Sequence, residues 1–432
     1  MKRIIISVVL VFVMLVSASF FSACSHNEIV RQPYFINEES FDGKTFPFVY
    51  VNVEDDKEIV SKEEYLSCLV RITNTQEEYV FDGENIQTAK IKGRGNSSWE
   101  MPKKSYKLKF DSKVNLFGFG KAKKYTLIAN FCDKSLSRNM MAYELARLVN
   151  LSETSYTQPV NLILNGEFYG VYLLCEQNEI GKNRVNIESD LNDIDTGYLI
   201  ELDERACQEG VENYDYFVSH GNQYAIKDPE TDDLLFSVEH MNFIRNYVDT
   251  CLNKLCLDDY DEIDQLIDVE SFAKCYLIHE VFNCEDVGFS SFYLYKKAGG
   301  KLYAGPVWDF DISSGNCDYG DGSMNDTSFM YAKFKNIWYN KLLNFQEFRL
   351  IVKNLIDTHY DDMMSKIDEV VAYQLEYEDN NNAEFEVWPT MGKYVWPNTD
   401  EIVSITTFRG QIDYLSAWVK EKLNYMQEEY CN

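Results

Sequence analysis

The run Asp268-Val269-Glu270-Ser271-Phe272-Ala273-Lys274-Cys275-Tyr276-Leu277-Ile278-His279, continued by Glu280-Val281-Phe282-Asn283-Cys284-Glu285-Asp286-Val287-Gly288, decides the fold. Phe272, Cys275, Tyr276 and His279 recur at helical spacing and Asp268 suits an N-cap, so a helix is expected over 269–282. An acidic loop with Asp286 follows. Two apolar runs, Phe292 to Tyr295 and Leu302 to Ala304, flank Ala298-Gly299-Gly300 and predict a hairpin. The second run leads into Gly305-Pro306-Val307-Trp308-Asp309-Phe310-Asp311. The order is helix, carboxylate loop, hairpin, then two acids among aromatics.

Protein kinases lay out their catalytic centre in this order: a loop Asp that orients the attacking hydroxyl, a hairpin, then an Asp that holds magnesium. The run Val287 to Tyr295 followed by Gly305 to Asp311 resembles the CotH-type kinases, relatives of the spore coat protein H. Lys92-Gly93-Arg94-Gly95-Asn96-Ser97-Ser98-Trp99, Asp133 to Asn139 and Gly170 to Glu176 fit the same family, in its order, across residues 45–360. The resemblance implies an α+β, atypical protein-kinase-like two-lobed fold, with a mainly β N-terminal lobe and a mainly α C-terminal lobe. It further implies ATP and Mg2+ (or Mn2+) as cofactors. Asp286 would orient the acceptor, and Asp309 and Asp311 would hold metal. Ser291 stands where kinases, and many members of this family, carry Asn. A hydroxyl is the weaker ligand, so a second metal would be lost or held loosely.

The nucleotide side rests on an island of charge. The chain carries a net charge of −29, yet between Lys92 and Lys124 ten basic residues meet two acidic ones. Backbone N–H groups of a Gly/Asn/Ser turn, with Lys and Arg heads, suit phosphate oxygens. Arg94, Asn96, Lys107 and Lys109 are the candidates; Lys107 and Lys109 share a strand face opposite Tyr106, Leu108 and Phe110, and spacing does not choose between them. A solvated basic strand face is the competing reading. By the resemblance, Glu144 would steady a phosphate-binding lysine, although a plain surface Glu fits its position equally. Glu176 ends a strand where kinase lobes join and the adenine ring is met.

Outside this core, Lys2 and Arg3 precede an apolar run and Phe21-Ser22-Ala23-Cys24, the pattern of a bacterial lipoprotein signal. Residues 1–23 are expected to be removed, Cys24 to carry lipid, and 24–44 to tether a domain over 45–360, with a packed helical extension over 361–432. The expected location is extracytoplasmic, on the bacterial cell membrane, with a surface or coat protein as substrate. The acidic surface argues against nucleic acid as partner. Scattered cysteines and five His give no zinc spacing. Three functions remain open: an ATP- and metal-dependent kinase of Ser or Thr, a kinase-like pseudoenzyme acting as a lipid-anchored scaffold, and a glycan-active protein with paired carboxylates. The last has no need of the basic island. Cys24→Ala is expected to leave the precursor uncleaved or release it from membranes; intact mass and fractionation check this, and unchanged mass with membrane retention refutes it.

Overall fold

The computed structural model describes residues 29–41, 44–73, 86–208, 215–257 and 260–431; Cys24 and the signal segment lie outside them. The account below concerns the compact unit Arg31–Asn432. Its N-terminal part is β-rich and its C-terminal part helical, an α+β arrangement.

Strict alternation along Ser105–Asn115 shows how the first part forms. Tyr106, Leu108 and Phe110 are buried, while Lys107 and Lys109 point the other way. Seven such strands close a barrel: β1 (Phe48–Val53), β2 (Leu66–Thr73), β3 (Gln87–Arg94), β4 (Ser105–Asn115), β5 (Lys121–Ile128), β6 (Thr157–Leu164) and β7 (Glu167–Glu176). Their order is β1-β2-β3-β4-β5-β7-β6, and a parallel pairing of β1 with β6 (Phe48↔Asn161) completes the circle. Closure leaves the barrel no free edge. Val49, Val51, Ile91, Leu108, Leu127, Leu162 and Leu174 fill its interior. The β6–β7 turn is Asn165-Gly166, both left-handed at φ 49° and 80°, and the Asn165 carboxamide oxygen accepts the Val53 N–H at 2.8 Å.

A second sheet has the order β12-β11-β8-β10-β9, from β8 (Tyr198–Leu202), β9 (Tyr216–Ser219), β10 (Asn222–Asp228), β11 (Phe292–Lys296) and β12 (Leu302–Ala304). The predicted hairpin is β11–β12. The polar, turn-rich composition of 205–232 predicts loop, but the structure forms the β9–β10 hairpin there: its turn is His220-Gly221, at φ 48° and 87°, between strands too short to show a period.

The helices are α1 (Ser97–Glu100), α2 (Arg138–Leu148), α3 (Val238–Cys256), α4 (Tyr260–Leu266), α5 (Val269–Val281), α6 (Ala332–Lys335), α7 (Ile337–Leu342), α8 (Gln346–Glu376), α9 (Glu378–Val387), α10 (Asp400–Ser404) and α11 (Phe408–Cys431). Asp268 caps α5 as predicted, accepting the Ser271 N–H at 2.9 Å. The run Asn380-Asn381-Asn382-Ala383 predicts a break between helices, yet it is helical. Tertiary hydrogen bonds outweigh its poor propensity: Asn380 accepts the Phe46 N–H at 2.8 Å, and Asn381 donates to the Gln374 carbonyl at 3.0 Å. The apolar spacing predicts separate helices over 345–356 and 362–377, but they form one, α8. Of the ten described cysteines, all free thiols, seven are buried, which fits small core residues. No helix among the described residues is long and apolar enough to cross a membrane.

Two buried ion pairs join the C-terminal helices to the rest. Lys103 donates to Glu384 of α9 at 2.8 Å and to the carbonyls of Ala129 and Val171, while Glu384 accepts the Val171 N–H at 2.7 Å. Lys422 of α11 meets Glu280 of α5 at 3.0 Å. Removing one partner of such a pair strands the other in a desolvated site. Lys103→Ala is therefore expected to lower unfolding stability by about 3–5 kcal/mol, read from urea midpoints; a loss below about 1 kcal/mol would show that the pair does not join α9 to the barrel.

Candidate functional site

Where β3 and β4 of the barrel face β8, β10 and β11, a polar cavity brings together residues from distant parts of the chain. Arg94, Asn96 and Lys107 line it from the barrel; Asp286, Ser291, Asp309 and Asp311 line it from the other side. The turn Gly93 to Ser98 has a steric reason for its glycines. A Cβ on Gly93 would sit 2.1 Å from the Trp99 ring, and Gly95, at φ 96°, has Ser98 Oγ at 2.1 Å from the same position.

Asp286 lies in the short turn Glu285–Gly288 that follows α5. Gly288 is required there, since a Cβ would meet the Lys335 carbonyl oxygen at 2.1 Å. Asn283, left-handed at φ 44°, donates to the carbonyls of Met324 and Asp326 at 2.9 and 3.0 Å and so anchors the loop. Asp309 and Ser291 are both left-handed, at φ 66° and 62°, and Ser291 Oγ donates to Asp309 Oδ2 at 3.1 Å. The next residue is fixed by its Phe310 N–H, which donates to Asn139 at 2.8 Å, and by its ring, stacked on His279. Burial lowers the His279 pKa to about 3, so that ring is neutral. Arg138 is paired to Asp133 at 2.5 Å, and its guanidinium donates to the carbonyls of Ser313 and Ser314, clamping the segment beyond Asp311.

Burial, then the charge of Asp309, then that of Asp311 hold the Asp286 carboxyl well above its usual range, and burial followed by Asp309 raises Asp311 to about 7. Neighbouring carboxylates in one poorly solvated site resist joint ionisation. A divalent cation would remove that penalty, and the oxygens of Asp309, Asp311 and Ser291 are donors of the class that magnesium or manganese takes. Among the described residues no three His, Cys, Asp or Glu side chains form a ready-made metal cluster. Cations face the acids: Lys62, Arg94, Lys107, Arg205 and Lys227 share the cavity wall.

Not every predicted residue is gathered here. Lys109 is exposed, one strand repeat beyond Lys107, outside the lining. Glu144 pairs with Arg147 on its own helix instead of with a lysine of the barrel. Glu176 binds Arg184 and accepts the Tyr156 N–H at 2.9 Å; its neighbour Gln177 lines the cavity instead. Sequence reasoning missed Lys62, Glu201, Asp203, Arg205 and Lys227, and placed Gln177 only beside Glu176 at the strand end. The one legible signal was Glu201, a charge inside the apolar strand Tyr198–Leu202.

Fold and site together define an α+β protein in which a carboxylate group faces cations across a single cavity. The chain belongs to the CotH kinase family: the model described as CotH kinase protein matches residues 91–426, from within β3 into α11. No curated protein matches the chain.

Because the folded state of the metal-free protein holds Asp311 protonated up to about pH 7, while an unfolded Asp ionises near pH ~4, the folded state binds more protons between these values. Stability should therefore fall as pH rises through that window. Asp311→Asn is expected to remove part of this slope, raising Tm more at pH 8 than at pH 5. Thermal melts in chelator check this, and an equal shift at both pH values contradicts it.

Proposed function

We propose that this protein is an atypical kinase of two lobes, the barrel presenting nucleotide and the second sheet with the helices presenting metal and acceptor. The observation that carries this reading is the single cavity shared by Arg94, Asn96 and Lys107 on one wall and Asp286, Asp309 and Asp311 on the other. Family membership supports a kinase-like function.

Arg94, Lys107 and the backbone of the Gly95-Asn96 turn would bind the phosphates of ATP. Asp309 and Asp311, with Ser291, would hold Mg2+ or Mn2+, which when bound neutralises the phosphate oxygens. Asp286 accepts the proton of the acceptor hydroxyl as the oxygen–phosphorus bond forms and the β–γ bond breaks, releasing ADP. The acceptor class is a Ser or Thr hydroxyl of a surface or coat protein, met outside the cytoplasm by an enzyme anchored through lipid on Cys24. One observation favours the scaffold alternative: the Ser291 hydroxyl, in place of an amide, is already hydrogen-bonded to Asp309 at 3.1 Å.

The test compares nucleotide titration with phosphate incorporation, with Mg2+ or Mn2+ present and absent. Asp286→Ala should lower turnover about 10²–10⁴-fold with nucleotide affinity nearly intact. Asp309→Ala should weaken metal-dependent nucleotide binding as well, and Lys107→Ala should weaken binding where Lys109→Ala does not. Wild-type protein that binds no nucleotide under either condition excludes the kinase; binding without incorporation leaves the scaffold.

A further inference from the structure

The cavity contains a lysine–glutamate pair, its glutamate buried and its lysine partly so, that the phosphoryl-transfer reading leaves without a task. Glu201 is the inward-facing charge of β8, with 6% of its surface exposed. One of its oxygens meets Lys227 of β10 at 2.9 Å. The other accepts the backbone N–H of Ser291 at 2.9 Å. Ser291 is held left-handed at that point, a conformation a serine adopts at a cost, and from it Oγ reaches Asp309 Oδ2. Asp309 is itself left-handed. A continuous chain of contacts thus runs Lys227, Glu201, Ser291, Asp309, from the middle of the second sheet to the carboxylate edge of the cavity.

We propose that Glu201 and Lys227 are positioning residues for the metal-holding edge of the site, acting on Asp309 through the backbone of Ser291. This rests on the reading of Asp309 as a metal-holding carboxylate. The carboxylate of Glu201 is suited to the task because it has two acceptor oxygens for two donors. Lys227 takes one and leaves the other aimed at the Ser291 N–H. A glutamine has one acceptor oxygen and one donor group, so it cannot serve both. Groups that orient a ligand in this way set metal affinity without touching the metal.

Mn2+ titration of the purified protein from residue 25, followed by calorimetry without nucleotide and with Tm measured for each variant, tests this. Glu201→Gln, nearly isosteric, is expected to weaken Mn2+ binding about tenfold. Lys227→Met is expected to weaken it as well. A pure field effect gives the opposite sign there, since removing a cation beside the site would tighten Mn2+ binding. In a Ser291→Gly background, where glycine accepts the left-handed backbone but no hydroxyl reaches Asp309, Glu201→Gln should cause no further loss. Unchanged or tighter Mn2+ binding in Lys227→Met, unchanged binding in Glu201→Gln, or a full additive loss in the double variant each overturns the proposal. Wild type that binds Mn2+ yet transfers no phosphate overturns the kinase reading alone. Wild type that binds no Mn2+, with or without ADP, overturns both.

Discussion

Burial and the neighbouring charge of Asp309 raise the carboxyls of Asp286 and Asp311, and cations line the same cavity. Asp286, Asp309 and Asp311 come from two segments separated by the β11–β12 hairpin, so their approach requires the hairpin to fold back on its own ends. The cations arrive from β3, β4 and β10, from the loop before β2 and from the turn after β8. In a chain of net charge −29, the basic residues of β3 and β4 set positive charge opposite the acidic wall.

The geometry of the acidic wall is held from behind. Asp309 and Ser291 occupy left-handed backbone that their side chains do not favour, and such conformations persist only where the surroundings over-determine them. Here the surroundings are specific: Asn139 holds the Phe310 N–H, neutral His279 stacks on the Phe310 ring, and Arg138 holds the carbonyls after Asp311. Helix α2 and helix α5 therefore act as a rigid backing. The placement of α5 is tied to the C-terminal helices, since Lys422 of α11 pairs with Glu280 of α5, which also accepts the Tyr331 and Lys333 N–H groups. The match of the family model through residue 426 takes in these same helices.

Membership of the CotH kinase family and the cavity's composition rest on different observations. The first compares residues along the chain. The second asks only which charges meet in space, and Lys62, Asp203, Arg205 and Lys227 enter it with no motif of their own.

How much of this the sequence held can be read from particular residues. The alternation of Tyr106, Lys107, Leu108 and Lys109 determined a strand and its faces, and the Asp268 cap with its helical period determined α5, because both signals are local. Asp286 and Asp309 are singled out by the resemblance of their motifs, in order, to the CotH-type kinases, and Arg94 by the basic island and its Gly/Asn/Ser turn. What the chain alone left open was which lysine of one strand face reaches the cavity. Lys107 and Lys109 are equivalent in period, and only the packing of barrel against second sheet puts Lys107 in the lining and leaves Lys109 in solvent. Glu144 and Glu176 were placed by analogy of order, yet their partners are Arg147 and Arg184, since a carboxylate takes the nearest guanidinium the fold offers. Barrel closure through the parallel β1–β6 pair and the pairing of Glu201 with Lys227 were likewise decided by tertiary structure, because contacts between residues far apart in sequence leave no period to read.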